Sequence, residues 1–202
     1  MPTFFEIIKE TLDLGYNDID DEDKVDKIKT CLDTLQERYS NVLAQGGPSY
    51  KDATTRFAYV FRYSTAHADY LNTIIDYCPE LREALKEDRV NISCIGGGPG
   101  SDVLGFLKFL LREKQKPQLT YFILDKEVAW GETWADLDAI VSDELKTSRN
   151  YFPFDVTEPE SYEDFSRVFK SQIFTMLYFL SEVFKFKDDV WPAPGLVDTR
   201  LS

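Results

Sequence analysis

The chain has 202 residues and is 43% hydrophobic, enough for one domain with a real core plus a helical extension. Its 36 acidic against 23 basic residues leave a net charge of −13, and Lys and Arg are scattered among acids rather than gathered into a patch. Such a field repels a phosphate backbone, so nucleic acid is excluded as a partner while a small molecule or another protein stays open.

Cys31, Cys78 and Cys94 are odd in number, far apart and lack CxxC spacing. That argues against a disulfide framework and against a cysteine metal site, so no metal is expected. The opening MPTFFEIIKETLDLG has neither a basic start nor a small-residue cleavage site. No apolar run approaches the ~20 residues of a membrane span. The expectation is a soluble protein of a reducing compartment, cytoplasmic with the nucleus left open, and no membrane contact. The triplet Asn91-Ile92-Ser93 falls inside a predicted strand and reads as chance rather than as a glycosylation site.

Residues 1–89 read as a helical extension or cap. Phe4, Phe5, Ile8 and Leu12 lie at helical spacing, and Val25, Ile28, Leu32, Leu35 and Tyr39 repeat at threes and fours. The acids of DIDDED sit where a helix start favours them. Gly46-Gly47-Pro48 breaks the pattern. An aromatic helix is predicted over 50–77, with Phe57, Val60, Phe61, Ser64, Ala68, Leu71 and Ile75 on one face. Pro79 then opens a shorter helix.

From residue 90 short β-like runs alternate with helices. Strands are predicted over 90–95, 119–125, 150–156 and 172–179, with helices over 101–114, 128–146 and 159–170. This alternation argues an α/β fold with a Rossmann-like parallel sheet of about four strands, spanning 90–187, before an irregular tail over 188–202.

The first turn of that sheet, CIGGGPGSD, carries Gly96, Gly97, Gly98 and Gly100 between a strand and a helix. Such a turn brings backbone close to a ligand at the carboxyl end of a parallel strand. Asp125 ends the second strand, where a carboxylate accepts hydrogen bonds from a ribose diol. Together they suggest an adenosine-containing cofactor. A phosphate-loop site needs GxxxxGK[ST], which is absent. The dinucleotide fingerprint GxGxxG fails at its third glycine, which is Ser101. A nicotinamide or flavin oxidoreductase is therefore the weakest of the readings. The spacing that fits is Gly96-x-Gly98-x-Gly100.

With its context, this pattern resembles the class I S-adenosylmethionine-dependent methyltransferases over residues 50–187. IGGGPGSD looks like their first motif, YFILD like the second and FPFDV like the third, and QIFTMLYF sits where the fourth motif ends its strand. The resemblance implies S-adenosyl-L-methionine as cofactor and methyl transfer to a small molecule or a protein side chain. Gly96, Gly97, Gly98 and Gly100 would shape the loop, and Asp125 would hold the ribose. Asp155 would face the adenine with Val156 nearby. The aromatic helix over 50–77 resembles the helices that roof such pockets. Two departures stand out. The family often carries an acid two residues before the first motif glycine, a position occupied here by Cys94, with Ser93 and Asp102 as candidate substitutes. The family's sheet also continues for three more strands. The expectation is thus a methyltransferase-like protein lacking the C-terminal half of that sheet. The alternative is a non-catalytic truncated isoform or pseudoenzyme acting as a binding or regulatory partner. A fourth strand left at the edge would uncover Phe174, Met176 and Tyr178, inviting a partner chain or an oligomer.

No catalytic residue is fixed by sequence. His67, the only histidine, shares a helix face with Tyr59 and Tyr63. It is either a general base or substrate ligand, or a member of a satisfied packing cluster. Tyr63 and Tyr178 are weak candidates beside it, with Ser181 and Glu182 further along the acceptor side. Asp125 has a solvated strand end as its rival reading, and Asp155 a turn or helix-cap acid. Trp130 and Trp134 read as core residues, with adenine contact as the rival.

Overall fold

The computed structural model describes residues 3–20, 22–40, 48–141, 147–148, 150–158 and 166–184. Helix α1 spans Phe4–Asn17 and opens on a reciprocal cap, in which Thr3 Oγ1 accepts from the Glu6 N–H and the Glu6 carboxylate accepts from the Thr3 N–H. It buries Ile7, Ile8 and Thr11. Phe5, expected on that face, is 73% exposed. Helix α2 (Lys24–Ser40) buries Leu35 from its predicted stripe. The break at Gly46-Gly47 lies outside the described residues.

The aromatic segment is helical but not uniform. Helix α3 (Ala53–Tyr59) is capped by Asp52, whose carboxylate accepts from the Thr55 N–H at 3.0 Å. A π-helical turn, Val60–Ser64, leads into α4 (Thr65–Tyr77). The wider turn shifts the phase of the apolar face. Val60, Ser64, Ala68, Leu71 and Ile75 are buried, whereas Phe61, predicted to join them, points outward at 55% exposure. Helix α5 (Pro79–Ala84) begins at its proline, which lacks an N–H that would find no partner there.

The sheet follows: β1 (Arg89–Ile95), α6 (Ser101–Glu113), β2 (Gln118–Asp125), α7 (Trp130–Val141), β3 (Thr147–Ser148), β4 (Tyr151–Pro153), β5 (Ile173–Thr175) and α8 (Phe179–Val183). β3 pairs with Leu119 and Thr120 of β2, and β4 pairs with Ile123, Leu124 and Asp125 of the same strand. The two short strands therefore fill one place in the sheet. The order is β3/β4, β2, β1, β5, and every pairing is parallel. The expected α/β fold with about four parallel strand positions is the observed one.

Several boundaries differ from those read in the sequence, most of all in the second half of the sheet. The third strand stops at Pro153, leaving Asp155 and Val156 beyond it. The helix predicted over 128–146 starts at Trp130, and its last five residues lie outside the described part. The fourth strand, predicted over 172–179, ends at Thr175. Tyr178 there has φ of 61°, a left-handed value that ends extended backbone. Of the helix predicted over 159–170, residues 159–165 lie outside the described part and Val168–Lys170 form a 3-10 turn. The tail over 188–202 also lies outside it.

Strand alternation sends side chains to two faces. Val90, Ile92, Cys94, Leu119, Tyr121 and Ile123 join Phe106, Leu107, Trp134 and Leu137 of α6 and α7 in the main core, together with Ile7, Ala68, Leu71 and Ile75 of the N-terminal helices. The opposite face holds Ile95, Phe122, Leu124, Phe154 and Val168. Gly105 sets the approach of α4 to α6. A Cβ there would lie 2.8 Å from Leu71 Cβ and 3.0 Å from the Ala68 carbonyl, so only a bare backbone fits. Ser101 stands where the dinucleotide fingerprint has its third glycine. It donates to Ser64 Oγ at 3.0 Å.

Candidate functional site

β1 has β2 on one side and β5 on the other, so the chain reverses direction across the sheet at β1. In open parallel sheets the crevice at such a reversal, beyond the carboxyl ends of the strands, is where ligands bind. The glycine turn lies there. Gly96, Gly98 and Gly100 have φ of 69°, 49° and 89°, values closed to most side chains. Gly97 has ordinary φ but is packed, its Cβ position 2.9 Å from Ile123 Cγ2. Gly100 lies under Trp134, 2.6 Å from Cε3 at the Cβ position. Gly98 is buried but the least crowded member, with Trp130 Nε1 at 3.8 Å and Asp125 Oδ2 at 3.9 Å from the position a Cβ would take.

The loop and the end of β2 are tied together by backbone. Gly96 and Gly97 N–H both donate to the Leu124 carbonyl, at 2.8 and 3.2 Å. Asp125 Oδ2 accepts from the Gly98 N–H at 2.9 Å, and Oδ1 from the Glu127 N–H at 3.0 Å. Burial pushes the Asp125 carboxyl up to about 6, against the backbone amides that donate to it. Asp125 is a half-buried acid at the strand end that joins the β2 terminus to the glycine turn.

Asp155 lies just past β4. Lys126 Nζ is 2.6 Å from its Oδ2, and Thr157 N–H and hydroxyl donate to Oδ1 at 3.0 and 2.7 Å. Burial works to raise this carboxyl, and those partners outweigh it and hold it low. The turn-acid reading describes this geometry, with Val156 in the same turn. The structure sets no contact between Asp155 and the glycine loop among the described bonds.

Beneath the loop lies a fully buried acid. Asp102, in the first turn of α6, is 5% exposed and accepts a hydrogen bond from Thr175 Oγ1 at the end of β5. Burial raises it to about 6. The Cys94 thiol is fully buried beside it and is pushed up by burial and by the Asp102 charge. Of the two candidate substitutes for an acid at position 94, Asp102 is thus the one that lies beside Cys94. Ser93, the other candidate, points to the opposite face. It donates to the Val168 carbonyl at 3.0 Å and shares a 2.8 Å hydrogen bond with Ser171 Oγ.

Aromatic rings of the N-terminal segment pack against Trp130, which lies beside the loop. Trp130, beside Gly98, contacts Tyr50 and Tyr59 at centroid distances of 4.7 and 5.3 Å. Tyr59 meets Tyr63 at 5.3 Å, Tyr63 meets His67 at 6.0 Å, and His67 stacks on Tyr178 at 4.2 Å. The three catalytic candidates, His67, Tyr63 and Tyr178, therefore come together across 115 residues of sequence between Tyr63 and Tyr178. Tyr59 Oη lies 3.3 Å from His67 Nδ1. Burial lowers the imidazole to about 4, so it is neutral at physiological pH and able to accept a proton only weakly. The side chains of Ser181 and Glu182 lie outside the described part.

Sequence reasoning missed Phe179. It was read as the end of a strand, yet its ring covers Gly96, with Cδ2 at 2.4 Å from the Cβ position. The signal available was the bulky pair Tyr178-Phe179 following a short β run, which is not distinctive. Among the described residues, no group of three or more His, Cys, Asp or Glu is placed to hold a metal ion, and no helix is long and apolar enough to cross a membrane. Comparison with protein families, with curated proteins and with solved structures found no match to this chain.

Proposed function

We propose that the chain binds S-adenosyl-L-methionine at the β1–α6 turn and is a methyltransferase-like protein, transferring the methyl group to a small molecule or a protein side chain. The observation that carries this reading is the joint geometry of three left-handed glycines and the Asp125 carboxylate, bonded to Gly98 at the sheet's reversal point. The residues fit such a cofactor. An ionised carboxylate has about four acceptor sites, and the Gly98, Lys126 and Glu127 amides use part of that capacity at Asp125. Room remains for a ribose hydroxyl. The Trp130 indole is buried beside Gly98 and turns its Nε1 edge to the loop, walling that side of the site. The bound cofactor supplies an electrophilic methyl group. The chain's part is alignment: the loop positions the cofactor, and the tyrosine roof excludes water from the acceptor side.

The test is calorimetric titration of the purified chain with S-adenosylmethionine and S-adenosylhomocysteine, beside Asp125→Ala. Saturable binding that weakens at least tenfold in the variant is expected. A folded wild-type chain that binds neither compound overturns the reading.

A second reading, a non-catalytic binding or regulatory partner of the same lineage, is favoured by the β5 edge. That strand has three residues, and Phe174 and Met176 on it and just beyond it are 42% and 41% exposed. Sedimentation separates the two: this reading requires self-association or a captured partner, whereas a cofactor-binding monomer does not.

A further inference from the structure

The side of Gly96 that a ligand would cross is covered by the chain itself. A Cβ on Gly96 would lie 2.4 Å from Phe179 Cδ2 and 2.9 Å from Phe179 Cβ and Cγ, so the ring rests on the glycine backbone. Phe179 also packs against the core on the second face of the sheet. The residue before it, Tyr178, holds a left-handed φ of 61° without being glycine, a conformation that costs about 1 kcal/mol. Ring contacts hold it there: it stacks on His67 at 4.2 Å and 23°, and meets Tyr70 at 6.0 Å.

Leu177 packs against the main core and Val183 is buried, but Met176, Tyr178, Leu180 and Phe184 are 41%, 50%, 61% and 60% exposed, and α8 has only five residues. Side chains this exposed on so short a helix suit a segment that opens below the free energy of global unfolding. A strained hinge, a plug over the first glycine and a stacked anchor thus occur within two residues of one another.

We propose that Met176–Val183 is a gate on the glycine loop: Phe179 closes the Gly96 side, Tyr178 latches it to His67, and the segment must swing outward before S-adenosylmethionine can enter. This rests on the cofactor reading above. Binding that waits on such an opening associates more slowly than docking to a preformed site.

The experiment is stopped-flow tryptophan fluorescence with S-adenosylhomocysteine, using Trp130 beside the loop as reporter, on the wild type, Phe179→Ala and His67→Ala. The first variant removes the plug and the second only the latch, so the second decides if the first fails to fold. Association at least tenfold faster in the folded variants supports the gate. Hydrogen exchange over residues 176–184 should rise in His67→Ala without any ligand present. Binding at the wild-type rate in both variants overturns the gate and leaves the cofactor reading standing. No binding by any folded form overturns the cofactor reading and the gate with it.

Discussion

Replacing Asp102 by asparagine should stabilise the protein, and by an amount that grows with pH. The acid is 5% exposed, its folded pKa is raised to about 6 by burial, and Thr175 Oγ1 donates to it. An unfolded aspartate titrates near 3.8. The folded state therefore holds the proton more tightly, and stability falls as pH rises from about 4 to about 6, then levels off. A shift of about two units corresponds to about 3 kcal/mol lost at neutral pH. At about pH 5 roughly half of that has been lost, about 1.6 kcal/mol. Asparagine keeps an acceptor for Thr175 and carries no charge. Any change in packing from the amide is the same at both pH values and cancels in the difference. Urea unfolding of the wild type and Asp102→Asn at about pH 5 and about pH 7.5 should show the variant's advantage growing by about 1.4 kcal/mol at the higher pH. An advantage that does not change between the two refutes the argument, since it would mean that Asp102 is not the group whose burial penalises ionisation.

Two further outcomes follow from the packing. His67 is the only histidine, so its imidazole gives one proton resonance series. NMR titration should place its midpoint near 4, below the ordinary 6.5, because burial disfavours the cation. A midpoint near 6.5 would place the ring in solvent rather than against Tyr178. Gly105→Ala should destabilise by about 1–3 kcal/mol in thermal unfolding even though alanine favours helix, because the added carbon meets Leu71 Cβ at 2.8 Å. A gain in stability would mean that α4 and α6 are free to separate.

Much of the sheet was legible because local pattern and tertiary role agree. VNISCI and LTYFILD are long enough to be buried on both faces, and the glycines between β1 and α6 have a single structural use. The strands that were misplaced are the short ones. FPFDV and QIFTMLYF are apolar runs whose length suggests longer strands, but pairing stops at Pro153 and at Thr175, with the left-handed Tyr178 three residues further on, local features that period alone does not carry. The π turn was invisible for the same reason: a one-residue phase shift at Val60–Ser64 leaves the composition of the segment unchanged and only moves Phe61 off the core. At the site, the glycines and Asp125 were read from sequence as one unit and lie as one unit. Their cover was not, because Phe179 reaches Gly96 from 83 residues away and no spacing rule connects them.

The order of the strands also sets an order of assembly. Ile92 pairs with Tyr121, 29 residues on, and with Ile173, 81 residues on. Closing the longer loop costs about 0.9 kcal/mol more in chain entropy, and β5 returns only three paired residues for it against seven along β2. The β1–α6–β2 unit, which carries the glycine turn and Asp125, thus has the entropic advantage in nucleation, and β5 with the segment behind it is the later arrival. A nascent chain would own the glycine turn and Asp125 before it owned the ring that lies against Gly96.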